Sequence, residues 1–206
     1  IVSGGIVKEY GSADFLFLND GKAIFRKSSW TEGRFLTPQG EPLSDAPLDW
    51  GLSAAFHDIN HDGLPDLYVC NDFWTPDRFW INQGDAFKLL DPEKFGKTSA
   101  SSMGVDFSDY DRDGDVDLFV VDMLSRDLEM RKRQAPAQDL SDRLVNQGKY
   151  ADQVMRNTLL NNRGDGSFAE LANMAGLSAS DWSWSPFFLD VDLDGYEDLI
   201  ITAGHY

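Results

Sequence analysis

The pattern D-x-[D/N]-x-D-G-x-x-D-L occurs three times, each time between apolar stretches, and it limits the possible folds more than any other feature of the chain. Positions 1, 3 and 5 are Asp58, Asn60 and Asp62 in the first copy, Asp109, Asp111 and Asp113 in the second, and Asp190, Asp192 and Asp194 in the third. Position 6 is Gly63, Gly114 or Gly195, and position 9 is Asp66, Asp117 or Asp198. Alternate carboxylates and amides aim oxygen at one centre while the chain curls round it, and the glycine permits a turn that a Cβ would obstruct. Position 7 (Leu64, Asp115, Tyr196) most simply adds its backbone carbonyl. Hard oxygen donors in this number suit Ca2+ better than Zn2+ or a softer metal, so about three Ca2+ ions are expected, one per loop. Coordination filled by protein leaves no open position for a substrate, which makes the expected role structural.

An EF-hand begins in the same way but needs a bidentate Glu at position 12. Here position 12 is Val69, Val120 or Ile201, inside a β-branched and aromatic run that reads as a strand. A second pattern accompanies the loops, an apolar run, an Asn/Gly/Asp turn and another apolar stretch. It appears over 15–25, 78–87 and 157–168, and it is a hairpin signature. Two strands joined by an acidic loop, then a hairpin, make a four-stranded unit, and repeated four-stranded units are propeller blades. The expected fold is therefore all-β, a β-propeller or a segment of one, with calcium loops in its blades.

The first Asp of the loop recurs after 51 and then 81 residues. The first spacing suits one blade; the second requires an insertion of about 30 residues, placed near 124–156. Leu124 and Leu128, then Leu140 and Leu144, predict short helices there, broken by Pro136. The opening Ile1-Val2-Ser3-Gly4-Gly5 is similar to Ile200-Ile201-Thr202-Ala203-Gly204, so residues 1–206 are expected to form a single propeller segment of about three blade-equivalents in a shifted frame. Such a segment exposes strand edges, which further blades of a longer chain or a partner chain would cover.

Composition narrows the partners. The net charge is −17, from 35 acids against 18 Lys and Arg, and a chain so acidic repels nucleic acid and anionic membrane surfaces. Thirteen of the acids fall in the three loops, where crowding is unfavourable unless a cation neutralises it. The single cysteine, Cys70, excludes an internal disulfide and is expected as a buried thiol in a strand. No apolar run reaches the length of a membrane span, and no signal peptide is visible.

The three loops resemble those of FG-GAP or VCBS repeats, the calcium-binding blades of integrin α-subunit propellers and of many bacterial surface proteins. The segment Asn71-Asp72-Phe73-Trp74-Thr75-Pro76-Asp77-Arg78, the hairpin from Asn161 to Phe168 with Ala175-Gly176-Leu177, and Asp181-Trp182-Ser183-Trp184-Ser185-Pro186 are similar to bacterial proteins related to cartilage acidic protein, which often end in an ASPIC/UnbV domain. The resemblance implies an extracellular, cell-surface or periplasmic location and a binding or scaffold role, with no defined ligand.

Several motifs have a plainer reading beside the functional one. Arg163-Gly164-Asp165 spells an integrin-recognition tripeptide, but Gly and Asp belong in a hairpin turn anyway. His57 and His61 stand four apart without the Glu or the helix of a zinc hydrolase, and His61 is expected in solvent at a loop tip. Trp74, Trp80, Trp182 and Trp184 either fill space between blades or stack on sugar rings; Trp74 and Trp182 are the candidates for ligand contact. The insertion, rich in Arg and Lys, is a candidate contact loop or a solvated excursion. The expected function is a calcium-dependent adhesion or binding module for protein or glycan, not an enzyme. The alternative is a propeller-framed enzyme acting on polysaccharide, against which the sequence offers no nucleophile–base pair and no phosphate-cradling Gly loop.

Overall fold

The computed structural model describes residues 2–3, 6–7, 10–73, 75–133 and 153–204. Two short antiparallel pairs come first, β1 (Val2–Ser3) with β2 (Ile6–Val7), and β3 (Phe17–Asn19) with β4 (Phe25–Lys27). Next is a five-stranded sheet. Strands β6 (Gly51–His57), β7 (Asp66–Asn71), β8 (Arg78–Asn82) and β9 (Phe87–Leu89) run antiparallel in chain order, and β5 (Phe35–Leu36) lies parallel on the outer edge. The short helix α1 (Pro92–Phe95) and β10 (Thr98–Ser99) lead into a four-stranded sheet of β11 (Gly104–Ser108), β12 (Asp117–Val121), β14 (Thr158–Asn162) and β15 (Phe168–Glu170). Between β12 and β14, β13 (Gln153–Val154) pairs in parallel with β10. An antiparallel pair, β16 (Ser183–Leu189) and β17 (Asp198–Ala203), completes the order.

All three hairpins read from the sequence form, as β3–β4, β8–β9 and β14–β15. Strand β5, helix α1 and the β10–β13 pair are additions that two- to four-residue elements give no periodicity to announce. The predicted insertion is the excursion between β12 and β14. Its described part contains a helical segment over 128–133, begun where Asp127 Oδ1 accepts the Met130 N–H at 2.9 Å. The second predicted helix, at Leu140 and Leu144, lies outside the described residues.

Strands β7 and β12 are buried along their whole length because the sheets stack face to face. Tyr68 and Cys70 of β7 meet Leu118 and Val120 of β12 in one cluster, with Phe79, Phe95, Leu160 and Phe168. The alternate residues, Leu67 and Val69, face Trp30, Phe35 and Trp80 on the other side. On the far face of β12, Phe119 and Val121 pack with Leu159, Phe188, Leu199 and Ile201, so β16–β17 stacks on the second sheet as that sheet stacks on the first. The first strand of each unit lies at the edge of its sheet, and β11 packs against both β6 and β16. This all-β stack fits a β-propeller-type fold; the sheets do not close into a ring among the described residues. The stack also leaves two apolar faces exposed, one carrying Phe15, Phe17 and Phe25, the other Phe187, Leu189 and Ile200.

Where the second strand crosses to the third, a buried Asn/Asp pair closes the connection. In the first sheet Asp77 Oδ1 accepts the Asn71 N–H at 2.8 Å; in the second Asn157 Oδ1 accepts the Asp122 N–H at 2.7 Å, with the two residue types exchanged. The same clamp thus spans a six-residue crossover and a 35-residue one, which is how the long excursion leaves the sheet undisturbed.

Candidate metal centres

Each acidic loop joins the first two strands of its unit, and its own hydrogen bonds set its shape. The position 1 carboxylate accepts the N–H of position 6, Gly63, Gly114 or Gly195, at 2.9, 3.1 and 2.9 Å. The position 5 carboxylate accepts the N–H of position 7 at 2.8, 2.9 and 2.8 Å. Position 3 accepts the N–H of position 5 at 3.1, 3.3 and 3.1 Å. The backbone is left-handed at the position 6 glycines, with φ of 85°, 93° and 88°. It is left-handed again at position 4, where His61, Arg112 and Leu193 have φ of 57°, 61° and 61°, although Arg and Leu are not residue types that favour it. These bonds alone describe an acidic β-turn, so the test for a metal is what they leave over.

The second loop leaves the most. Ligand oxygens of Asp109, Asp111 and Asp117 lie within 4.8 Å of one another. Asp109 Oδ1 and Asp117 Oδ2 are buried and accept no hydrogen bond. Burial pushes the Asp117 carboxyl up to about 7; the Asn162 N–H, donated at 2.8 Å, opposes this, and the charges of Asp111, Asp113 and Asp109 add to it. Two orphaned buried oxygens among mutually repelling carboxylates are what a hard cation satisfies, so the donor set fits Ca2+. The side chain of Asp115 turns away from this cluster to lie against Gly164 of the β14–β15 hairpin, leaving its carbonyl as its only candidate donor.

In the third loop Asp190, Asp192 and Asp194 form a comparable cluster, while Asp198 Oδ2 accepts the Val191 N–H at 3.1 Å. The first loop is the most self-sufficient. Asn60 Nδ2 donates to Asp62 Oδ2 at 3.1 Å, and the two oxygens of Asp66 accept the N–H groups of Ile59 at 3.1 Å and Asn82 at 2.7 Å. Burial raises Asp66 to about 6, against those two bonds.

Asn161 was not expected in the second site. Its Nδ2 donates to Asp111 Oδ2 at 2.8 Å and Asp117 Oδ1 at 3.2 Å, from β14, the strand paired with β12. The corresponding residue of the first sheet is Ile81, so no repeat of residue type marks the position. Glu197, counted with the loop acids, instead accepts the Ser108 hydroxyl of the neighbouring sheet. His57 stacks on Phe107, and His61 points from its exposed loop tip to Gly114 O at 2.9 Å, so the two histidines serve separate contacts.

Of the candidate sugar-contact residues, Trp182 is half-buried at the start of β16, and Trp74 lies outside the described residues. Trp80 is fully buried against Trp30 and Phe35. Arg163-Gly164-Asp165 forms the β14–β15 turn, with Asp165 Oδ1 bound to the Ser167 N–H and hydroxyl at 2.9 and 2.6 Å.

Compared with known proteins, the FG-GAP-like repeat family matches at residues 58–120 and 144–201, together more than half of the chain. The first span starts at the first loop and runs through the second into β12, and the second span holds the third loop. No curated protein matches the chain.

Proposed function

This chain belongs to the FG-GAP-like repeat family, and from that premise we propose that it is a calcium-binding β-propeller module, an extracellular binding or adhesion scaffold for a protein or glycan. FG-GAP repeats occur in extracellular binding and adhesion modules, and among the described residues no helix is long and apolar enough to cross a membrane. The observation that carries the metal is the pair of buried oxygens without donors, Asp109 Oδ1 and Asp117 Oδ2. Asp109, Asp111, Asp113 and Asp117 would hold the ion of the second loop with the Asp115 carbonyl. Asp190, Asp192, Asp194, Asp198 and the Tyr196 carbonyl would hold the third, and Asp58, Asn60, Asp62, Asp66 and the Leu64 carbonyl the first. Bound Ca2+ supplies the positive charge that these carboxylates need to stay ionised close together. The loops then tie β6 to β7, β11 to β12 and β16 to β17, in place of disulfides.

In this reading residues 1–206 are one propeller segment of about three blade-equivalents. Further blades or a partner chain cover the faces that expose Phe17 and Phe187, at the cell surface, outside it or in the periplasm. Within the family, the resemblance of the Asp181–Pro186 segment and of the hairpin from Asn161 supports kinship with bacterial proteins related to cartilage acidic protein. Thermal unfolding in chelator, Ca2+ and Mg2+ tests the metal. Ca2+ raises the midpoint over chelator and Mg2+ does not replace it; equal midpoints in all three sink the proposal.

A polysaccharide-acting enzyme is the competing reading, and one cleft bears on it. Gly11 to Phe15 and Asp49 to Leu52 line a space of about 380 Å3, in which burial, then the charge of Asp49, raises the Asp14 carboxyl. Asp49 is already committed to Arg78, whose Nη2 donates to it at 3.0 Å, which favours a structural role. Polysaccharide turnover abolished by Asp14→Asn would decide for the enzyme.

A further inference from the structure

In the first two loops the left-handed residue at position 4 points at the next loop. His61 of the first bonds through Nε2 to the carbonyl of Gly114, position 6 of the second, at 2.9 Å, which needs the tautomer protonated at Nε2. Arg112 of the second places its guanidinium carbon 4.2 Å from the ring centroid of Tyr196, position 7 of the third. Arg112 Nη2 comes within 2.9 Å of where a Cβ on Gly195 would sit, so the glycine at position 6 also admits the guanidinium. One register relation therefore occurs at both loop-to-loop junctions, with different chemistry at each.

Other contacts brace the same junctions. Asn162 Nδ2 donates both to Ile59 O of the first loop at 3.3 Å and to Val116 O of the second at 3.2 Å, and Ser108 binds Glu197 beside the third. Leu193, at position 4 of the third loop, is 85% exposed, so the series stops there among the described residues.

We infer that the three loops form a coupled series in which Arg112 is a positioning residue, so that calcium in the second loop strengthens calcium binding by the third. This rests on the calcium reading above. The physical reason is shared backbone. Arg112 stands between two candidate ligands of its own loop, Asp111 and Asp113, so an ion held there fixes its left-handed conformation. The fixed side chain then holds Tyr196, whose carbonyl is a candidate ligand of the next ion, and ordering cost met at one site is not met again at the other. The guanidinium rests on the ring and not on a carboxylate of the third loop, which argues for positioning over competition with the ion. By linkage the effect is reciprocal.

Calcium titration calorimetry of the whole chain tests this with exposed, fold-sparing substitutions. Asp192→Ala identifies the binding step of the third loop by removing it. Asp111→Ala, which disables the second loop, weakens that step about fivefold or more. Arg112→Ala weakens it to a similar degree while the second loop still fills, and the double variant is no weaker than either single one. If wild type binds calcium and Arg112→Ala leaves the third step unchanged or tightens it, the coupling is overturned and the calcium reading stands. If wild type gives no calcium heat, both fall together.

Discussion

Asp113 and Arg78 show how much the surroundings of a charge decide what it does. Asp113 is exposed, and within the fold it only accepts the Asp115 N–H, so removing it costs little without metal. Asp113→Ala is therefore expected to leave the calcium-free melting curve nearly unchanged and to remove the gain of the second loop. At a hundredfold excess over Kd, that gain is about 2.7 kcal/mol. Equal calcium-induced shifts in variant and wild type would show that Asp113 holds no ion. Arg78 is the opposite case, paired through two nitrogens with the buried carboxylate of Asp49. Arg78→Ala strands that charge and is expected to lower stability by about 3 kcal/mol in urea unfolding. Arg78→Lys keeps the charge but not the planar fork, and recovers less than half of the loss. The acidic loop residues were legible one by one because their spacing repeats. Asp49 was not, since it stands 29 residues from its partner in a stretch without periodicity.

Among the strands, burial follows how many faces a neighbouring sheet covers, so β17, a second strand at the end of the stack, stays largely exposed. The second strands, β7 and β12, carry unbroken apolar runs because each has a sheet against both faces, whereas β6 and β16 keep many exposed residues. The sequence shows such a run but not which neighbours bury it. The buried acids at the crossovers are less visible still. Asp77 accepts from the Tyr68 hydroxyl at 2.6 Å, the Ser102 hydroxyl at 2.7 Å and the Asn71 N–H. Burial outweighs those bonds and, with the charge of Asp122, pushes its carboxyl to about 7. The folded chain thus keeps a proton that the unfolded chain, with a carboxyl near 4, has already lost between roughly pH 4 and 7. Through that window the Asp77 contribution to stability falls as pH rises, and it is level above it. Asp77→Asn, which copies Asn157 of the next sheet, removes that slope. Denaturation midpoints of variant and wild type should therefore shift in the variant's favour from pH 4 to 7; a constant difference would mean that Asp77 is ionised throughout.

At the scale of the whole molecule, the −17 charge is concentrated at one end of the stack, where the acidic loops meet through His61 and Arg112. Self-repulsion there should be screened by salt when no cation is bound. Raising NaCl from about 0.02 to 0.5 M, a span over which the screening length falls severalfold, is expected to raise the chelator-treated midpoint clearly and the calcium-saturated one much less. Equal salt responses would place the destabilising repulsion elsewhere. By itself the sequence determined the repeat, the strands and hairpins and the acidic residues of each loop, because these depend on residues a few places apart. Only the tertiary structure decided that the sheets stack face to face, that Asn161 enters the second site, and that a residue with no local preference for a left-handed backbone adopts it and reaches the next loop. Those features depend on side chains brought together across tens of residues, where no local period records which surface will lie against which.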